Sequence, residues 1–257
     1  MMSKRNPLIP DQDKNEMAKI RDLVVSWYEK KCREREIERF DYDLRRLENR
    51  LKLFVLGIFF NCIFQEKKAL DIFREMDNKG HVRLEELGDF ENNLKTTIRS
   101  LERTTGKSYK ILRTQDIVNS VLIVKDLFSQ AGDIVKLYEE KKDPKKFVEC
   151  LYSSFFGIKV KFFWMCRELR SLLGIPREFC YVPDRHVVRF LWNVKVISRC
   201  GNLSLDDCFQ LSEWMSLHLD NEYFDLPFMR FHQKKCMDRI GCSCKIGNCR
   251  FNQNTVP

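Results

Sequence analysis

The stretch from Lys145 to Leu191 holds the residue types whose spacing points to chemistry. Phe147–Tyr152 reads as a short helix, Gly157 as a tight turn, and Lys161 to about Leu173 as a second helix. A turn that opens a helix aims unpaired backbone N–H groups and the positive end of the helix dipole at whatever lies there, and a phosphate suits both. Lys159 and Lys161 add charge at the same spot. Further on, Tyr181-Val182-Pro183-Asp184 leads into an apolar helical pattern from Arg185 to about Ile197, which places Asp184 at the N-cap. Taken singly, such a carboxylate is a structural cap and such a lysine an exposed cation; it is their combination that asks for a functional reading.

A second group lies near the end of the chain. Four of the 11 cysteines are Cys236, Cys242, Cys244 and Cys249, separated by five, one and four residues. Cysteines this dense, with Gly and Lys between them, are candidate soft-metal ligands. Cys62, Cys150, Cys166 and Cys208 sit in apolar patterns and read as core thiols. A third candidate is the pair Asn61 and Gln65, four apart at the end of an apolar run and so expected on one helix face, where they line a pocket or cap the helix.

The elements that must position these groups read as helices. An apolar period of helical type runs from about Glu16 to Leu53, with the mixed charges of Glu29 to Glu36 on a solvated face. Leu53–Phe64 is apolar all round and reads as a buried helix; at 12 residues it is too short to cross a bilayer. Helices follow over about Lys67–Met76, Leu84–Thr104, Thr114–Ser129 and Ile134–Glu140, separated by polar breaks. Residues 1–15 are read as a flexible N-terminal arm, 16–235 as one all-helical domain, and 236–250 as a cysteine loop. With only 10 Gly and 7 Pro, an all-β sandwich or barrel is disfavoured, and the fold class expected is all-α.

The chain carries 46 Lys+Arg against 37 Asp+Glu, a formal charge of +9. That excess favours a polyanion or an anionic surface as partner. The N-terminus shows no apolar signal core, which points to the reducing cytoplasm and to cysteines held as thiols or metal ligands.

On these residues the chain resembles the helix-hairpin-helix DNA glycosylase superfamily, which includes endonuclease III and the 8-oxoguanine DNA glycosylases/AP lyases. The family hairpin has the form Gly-x-Gly-x-Lys, and Gly157-Ile158-Lys159-Val160-Lys161 keeps the first Gly and the Lys, with Lys159 in place of the second Gly. Val182-Pro183-Asp184-Arg185-His186-Val187-Val188-Arg189 is similar to the family's Val-x-Asp-x-His-Val-x-Arg. Lys161 and Asp184 lie 23 positions apart, more than in endonuclease III, with a longer loop over Gly174–Cys180. The match covers about residues 147–200. It implies two helical subdomains flanking a DNA-binding cleft, with the hairpin (147–173) at their junction and a catalytic Asp helix over 184–197. It also implies a C-terminal [4Fe-4S] loop spaced Cys-x6-Cys-x2-Cys-x5-Cys, each gap one residue longer than here. An iron–sulfur cluster in a contracted loop, a zinc site that includes His232, and no metal all stay open.

The chemistry suits those residues. Breaking an N-glycosidic bond develops positive charge on the sugar, which a fixed carboxylate such as Asp184 stabilises. A lysine amine such as that of Lys161 can displace the base and form a Schiff base, given a pKa depressed by burial or by cations such as Lys159 and Arg185. The resemblance implies that β-elimination of the 3′ phosphate follows. A flipped base would be received near Asn61, Gln65, Trp164 and Met165, while Gly157, Lys159, Arg185, His186 and Arg189 would contact DNA. The expected protein is thus a monomeric, cytoplasmic, nucleoid-associated glycosylase/AP lyase acting on damaged double-stranded DNA, with 8-oxoguanine the first substrate to consider and oxidised pyrimidines next. The alternatives are a non-enzymatic DNA-binding protein and a glycosylase without lyase activity.

Overall fold

The structure is a computed structural model, described over residues 8–10, 14–33, 42–63, 65–109, 111, 113–130, 132–154, 160–201, 203–236, 246 and 249. The described residues form eleven α-helices and two 3-10 turns, with no strand. In chain order these are α1 (Lys14–Lys31), α2 (Leu47–Cys62), α3 (Glu66–Asn78), a 3-10 turn (Leu84–Asp89), α4 (Phe90–Thr105), α5 (Thr114–Gln130), α6 (Ile134–Lys141), α7 (Pro144–Ser154), α8 (Lys161–Leu173), a 3-10 turn (Arg177–Phe179), α9 (Arg185–Asn193), α10 (Leu205–His218) and α11 (Leu226–Lys234). The chain divides into two compact units: Ile37–Pro176, and Met1–Glu36 together with Arg177–Pro257. The stretch 16–235, expected as one all-helical glycosylase domain, spans both units.

The continuous unit is built around α2. Leu53, Phe54, Val55, Ile58 and Phe59 are wholly buried because α2 packs against α3, α5 and α8, so its apolar residues find neighbours on every side. At Gly57 a Cβ would meet the Met165 methyl of α8, so the end of that flexible side chain would have to shift to admit one. Phe59 meets Phe73 of α3 and Phe90 of α4, and Phe54 meets Phe128 of α5 edge-on at 5.7 Å. One polar clamp fixes the start of α2. Arg50 is buried, and its Nε donates to Asp133 Oδ1 at 2.8 Å while Nη2 pairs with Oδ2. Its Nη1 donates to the carbonyls of Leu44 and Arg45, both at 2.7 Å. Asp133 in turn caps α6 by accepting from the Val135 N–H, so one ion pair joins the first turn of α2 to the first turn of α6.

The discontinuous unit gathers α1, α9, α10 and α11 around a second core. Met17, Ile20 and Val24 of α1 join Val187, Phe190 and Leu191 of α9, Leu211 and Met215 of α10, and Phe228 and Phe231 of α11. Tyr28 meets Tyr223, and Trp27 meets Phe231 edge-on at 5.1 Å. Helix α10 starts with a capping box: Ser204 Oγ accepts from the Asp207 N–H at 3.1 Å and Asp207 Oδ2 from the Ser204 N–H at 2.9 Å.

Four expectations need correction. The helical period expected over Glu16–Leu53 is interrupted, since α1 ends at Lys31 and α2 begins at Leu47; a turn at Asp43, bonded to Arg45 and Asn49, precedes α2. The helix expected over Leu84–Thr104 begins as a 3-10 turn containing Gly88, and α4 proper starts at Phe90. Helix α9 stops at Asn193 instead of Ile197 because Lys195 adopts a positive φ of 60°; Val194, Val196 and Ile197 stay buried, so the apolar pattern outlasts the helix. Within the expected N-terminal arm, Leu8 is buried in the core of the discontinuous unit and its carbonyl accepts from the Ser198 N–H at 2.9 Å.

Replacing Asp133 by Ala leaves the Arg50 charge buried without its partner and uncaps α6. A loss of about 3 kcal/mol is expected in urea unfolding, against about 0.5 kcal/mol or less for Glu91→Ala, which breaks the exposed pair with Lys95.

Candidate nucleic-acid interface

The strand of chain leading to Asp184 is held rigidly. Cys180, Tyr181 and Val182 are buried. The Tyr181 N–H donates to Ser212 Oγ of α10 at 3.2 Å, and the Val182 N–H to the buried Asp225 Oδ1 at 3.1 Å. Arg177 braces the segment from the other side: it donates to the Tyr181 hydroxyl and the Asn221 carbonyl, pairs with Asp220 at 2.7 Å, and lies over the Phe224 ring. Asp184 then adopts extended backbone (φ −73°, ψ 169°) and its Oδ1 accepts from the N–H groups of His186 at 2.8 Å and Val187 at 2.9 Å. The expected N-cap is therefore formed, by a carboxylate that is 9 % exposed.

Beyond the cap, α9 separates its faces by helical spacing. Val187, Val188, Phe190 and Leu191 are buried, whereas Arg185 and Arg189, four apart, are exposed on one side. His186 stands between these faces, half-buried. Its Nδ1 lies 3.1 Å from Nδ1 of the buried His232 of α11, and its Nε2 accepts from Arg185 Nε at 3.4 Å. The Nδ1 contact needs one ring to donate and the other to accept. Burial pushes the His186 imidazole below its ordinary pKa, and the neighbouring His232, Arg185 and Arg189 act the same way against the pull of Asp184. His186, expected to face DNA, has one ring edge committed to His232 instead.

Lys161 belongs to the continuous unit. It is the first residue of α8 and half-buried; the N-cap Val160 offers the helix no side-chain acceptor. Phe162, Phe163, Met165, Cys166 and Leu169 anchor α8, which packs on α2 and α7. Helices thus stand on both sides of the expected hairpin, while Gly157 and Lys159 lie outside the described residues. Of the expected base pocket, Met165 is 1 % exposed and packs at Gly57, which makes it core and corrects that expectation. Trp164 is half-buried, with its ring edge-on to Phe60 at 5.4 Å. Asn61 and Gln65 do not share a helix face: α2 ends at Cys62, Ile63 is extended, and Gln65 is the exposed N-cap of α3 with φ −105° and ψ 106°.

Cys236 and Cys249 are buried in the core of the discontinuous unit, and Asn193 Nδ2 donates to Cys236 Sγ at 3.0 Å. Cys242 and Cys244 lie outside the described residues, and among those described no three His, Cys, Asp or Glu side chains converge as a metal site. No described helix is long and apolar enough to cross a membrane. Sequence reasoning missed Ser212, Asp225 and the role of His232 beside His186; each is 31 or more positions from the residue it holds, and no local pattern marks it. The chain matches no protein-family model, no curated protein and no solved structure.

The His186 shift has a defined sign. Its folded pKa is depressed, so as the pH falls below about 6.5 the unfolded chain takes up a proton that the folded chain resists. Stability is fully present above that pH and is lost on acidification. His186→Gln, which keeps a hydrogen-bonding group, is expected to flatten the fall in melting temperature between pH 7.5 and 5.5 relative to the unsubstituted protein.

Proposed function

We propose that this chain is a DNA glycosylase with AP-lyase activity that removes a damaged base from double-stranded DNA, with 8-oxoguanine the first substrate to test. The observation that carries the reading is the rigid cap at Asp184 followed by exposed Arg185 and Arg189 on one side of α9. A carboxylate fixed through Oδ1 stabilises positive charge on a sugar without first having to be ordered, and two cations a helical turn apart match adjacent phosphates. The hairpin, the DNA-binding cleft between helical subdomains, the monomeric state and the nucleoid location belong to the same proposal.

In the reaction proposed, the neutral Lys161 amine attacks C1′ of the sugar as the N-glycosidic bond breaks and the electron pair leaves with the base. Ring opening gives the Schiff base. Loss of a C2′ proton then expels the 3′ phosphate, and hydrolysis frees the lysine. Arg185 and Arg189 bind backbone phosphate. The four cysteines 236, 242, 244 and 249 would hold a [4Fe-4S] cluster or a zinc ion in a structural role; the burial of Cys236 and Cys249 in one core suits such a role.

One observation favours a second reading. Both hydrogen bonds to the Asp184 side chain fall on Oδ1 and serve the helix, which is also what a cap in a non-enzymatic DNA-binding protein would do.

Borohydride trapping separates the two. Incubation with duplex DNA carrying 8-oxoguanine or an abasic site, followed by borohydride, is expected to give a covalent adduct that Lys161→Gln abolishes. Absence of both adduct and strand cleavage on every lesion would reject the enzymatic reading. Asp184→Asn is expected to lower turnover at least 100-fold with DNA affinity held within a few-fold; a parallel collapse of affinity identifies Asp184 as a cap alone.

The metal is checked independently of activity. Freshly purified protein is expected to contain iron and sulfide with absorption at the violet end of the visible range, and Cys236→Ser is expected to remove both. Zinc without iron would replace the cluster by a zinc site.

A further inference from the structure

Two buried amides precede the cap of α9, and different chemistry meets each. The Tyr181 N–H donates to the neutral Ser212 Oγ of α10 at 3.2 Å, while the Val182 N–H donates to Asp225 Oδ1 at 3.1 Å. Either acceptor spares an amide the cost of burial without a partner, so a hydroxyl would serve at both. Asp225 is also the N-cap residue of α11, a position from which a carboxylate ordinarily accepts from its own helix's first amides. Here its backbone is helical (φ −81°, ψ −13°) instead of extended, and its side chain makes no such cap. Asp225 is 3 % exposed, and a carboxylate that far from water loses hydration that only strong partners offset. One of those partners is the chain two residues before Asp184.

The effect runs along the backbone. The Val182 carbonyl accepts from the Asp184 N–H at 2.8 Å, so Val182 is held through its N–H by Asp225 and through its carbonyl by Asp184. Pro183 between them is buried, and its ring fixes its φ. Few torsions remain that could swing the Asp184 side chain. Both hydrogen bonds to that side chain fall on Oδ1, which leaves Oδ2 to face positive charge on a sugar. The direction of Oδ2 thus depends on backbone that Asp225 secures. A charged acceptor makes a bond roughly twice as strong as a neutral one, and a displacement of about 1 Å at a reacting centre costs about 100-fold in rate.

We propose, resting on the glycosylase reading, that Asp225 is a positioning residue for Asp184, its charge securing the segment that aims Oδ2 at the sugar. Two rates test this. One is single-turnover base release from duplex DNA carrying a lesion the unsubstituted protein excises, 8-oxoguanine first. The other is borohydride trapping on duplex carrying a preformed abasic site, which reports Lys161 and needs no glycosidic bond to break. A folding defect lowers both; lost aim of Asp184 lowers base release alone. Asp225→Asn keeps an oxygen in place without the charge and is expected to release base about fivefold more slowly. Asp225→Ala removes the acceptor and is expected to be slower by about 50-fold or more. DNA affinity and trapping are expected to stay within about twofold in both variants. Base release at the unsubstituted rate by Asp225→Asn overturns the proposal. So does a fall of release and trapping in the same proportion, which marks a structural role alone. Should circular dichroism show Asp225→Ala unfolded, Asp225→Asn decides by the same two rates. Absence of base release by the unsubstituted protein on every lesion rejects the glycosylase reading and the positioning role with it, whereas undiminished release by both variants rejects the positioning role only.

Discussion

The first turn of α9 sets its amide groups where little water reaches, and an amide left unmet there costs about as much as a lost hydrogen bond. Asp184 answers two of them with one oxygen. Much of the discontinuous unit serves that arrangement. The backbone before the cap is fixed by Ser212 and Asp225, brought from α10 and from the start of α11, and Arg177 holds the same segment through Tyr181. The orientation of α9 follows, and with it the split between an apolar face in the core and two arginines in solvent. His186, caught between the faces, is the point where this geometry meets protonation: its ring is held by His232 and its charge is disfavoured by its surroundings.

What could be read from the sequence divides along physical lines. The all-helical class, the burial of Leu53–Phe59 and the cap at Asp184 were legible because each rests on local rules: helical spacing of apolar residues, a run without charge, and an acceptor before an apolar pattern. Helix boundaries were less so. The apolar stretch Val194–Ile197 continues the period of α9 but is buried as irregular chain, because burial and helicity are separate demands that share one signature. Asn61 and Gln65 show the same limit from the other side: spacing by four places two residues together only if the helix spans both, and α2 stops between them. Met165 looked available because it follows Lys161 closely; it is buried where α8 packs on α2, with its methyl at Gly57, more than a hundred positions away.

Helices α10 and α11 were not drawn from the sequence at all, although the Ser204/Asp207 box is a local start signal. Their weight in the candidate site is large all the same, since they supply Ser212, Asp225 and His232. A site assembled from residues so far apart in the chain has no compact signature; only the segment that carries the charges does.

The division of the chain also orders events in time. Residues 37–176 are contiguous, so that unit has its whole sequence once residue 176 has left the ribosome. The other unit does not. Its first helix emerges early, yet the partners for Met17, Ile20 and Val24 lie in α9, α10 and α11, well over a hundred residues later. Throughout synthesis of the inserted unit, α1 must keep an apolar stripe without its native neighbours, the kind of surface on which chaperones act and from which aggregation starts. The exposed charges of Glu29, Lys30 and Lys31 at the end of that helix then have a use unrelated to DNA: they keep a waiting segment soluble until its other half arrives.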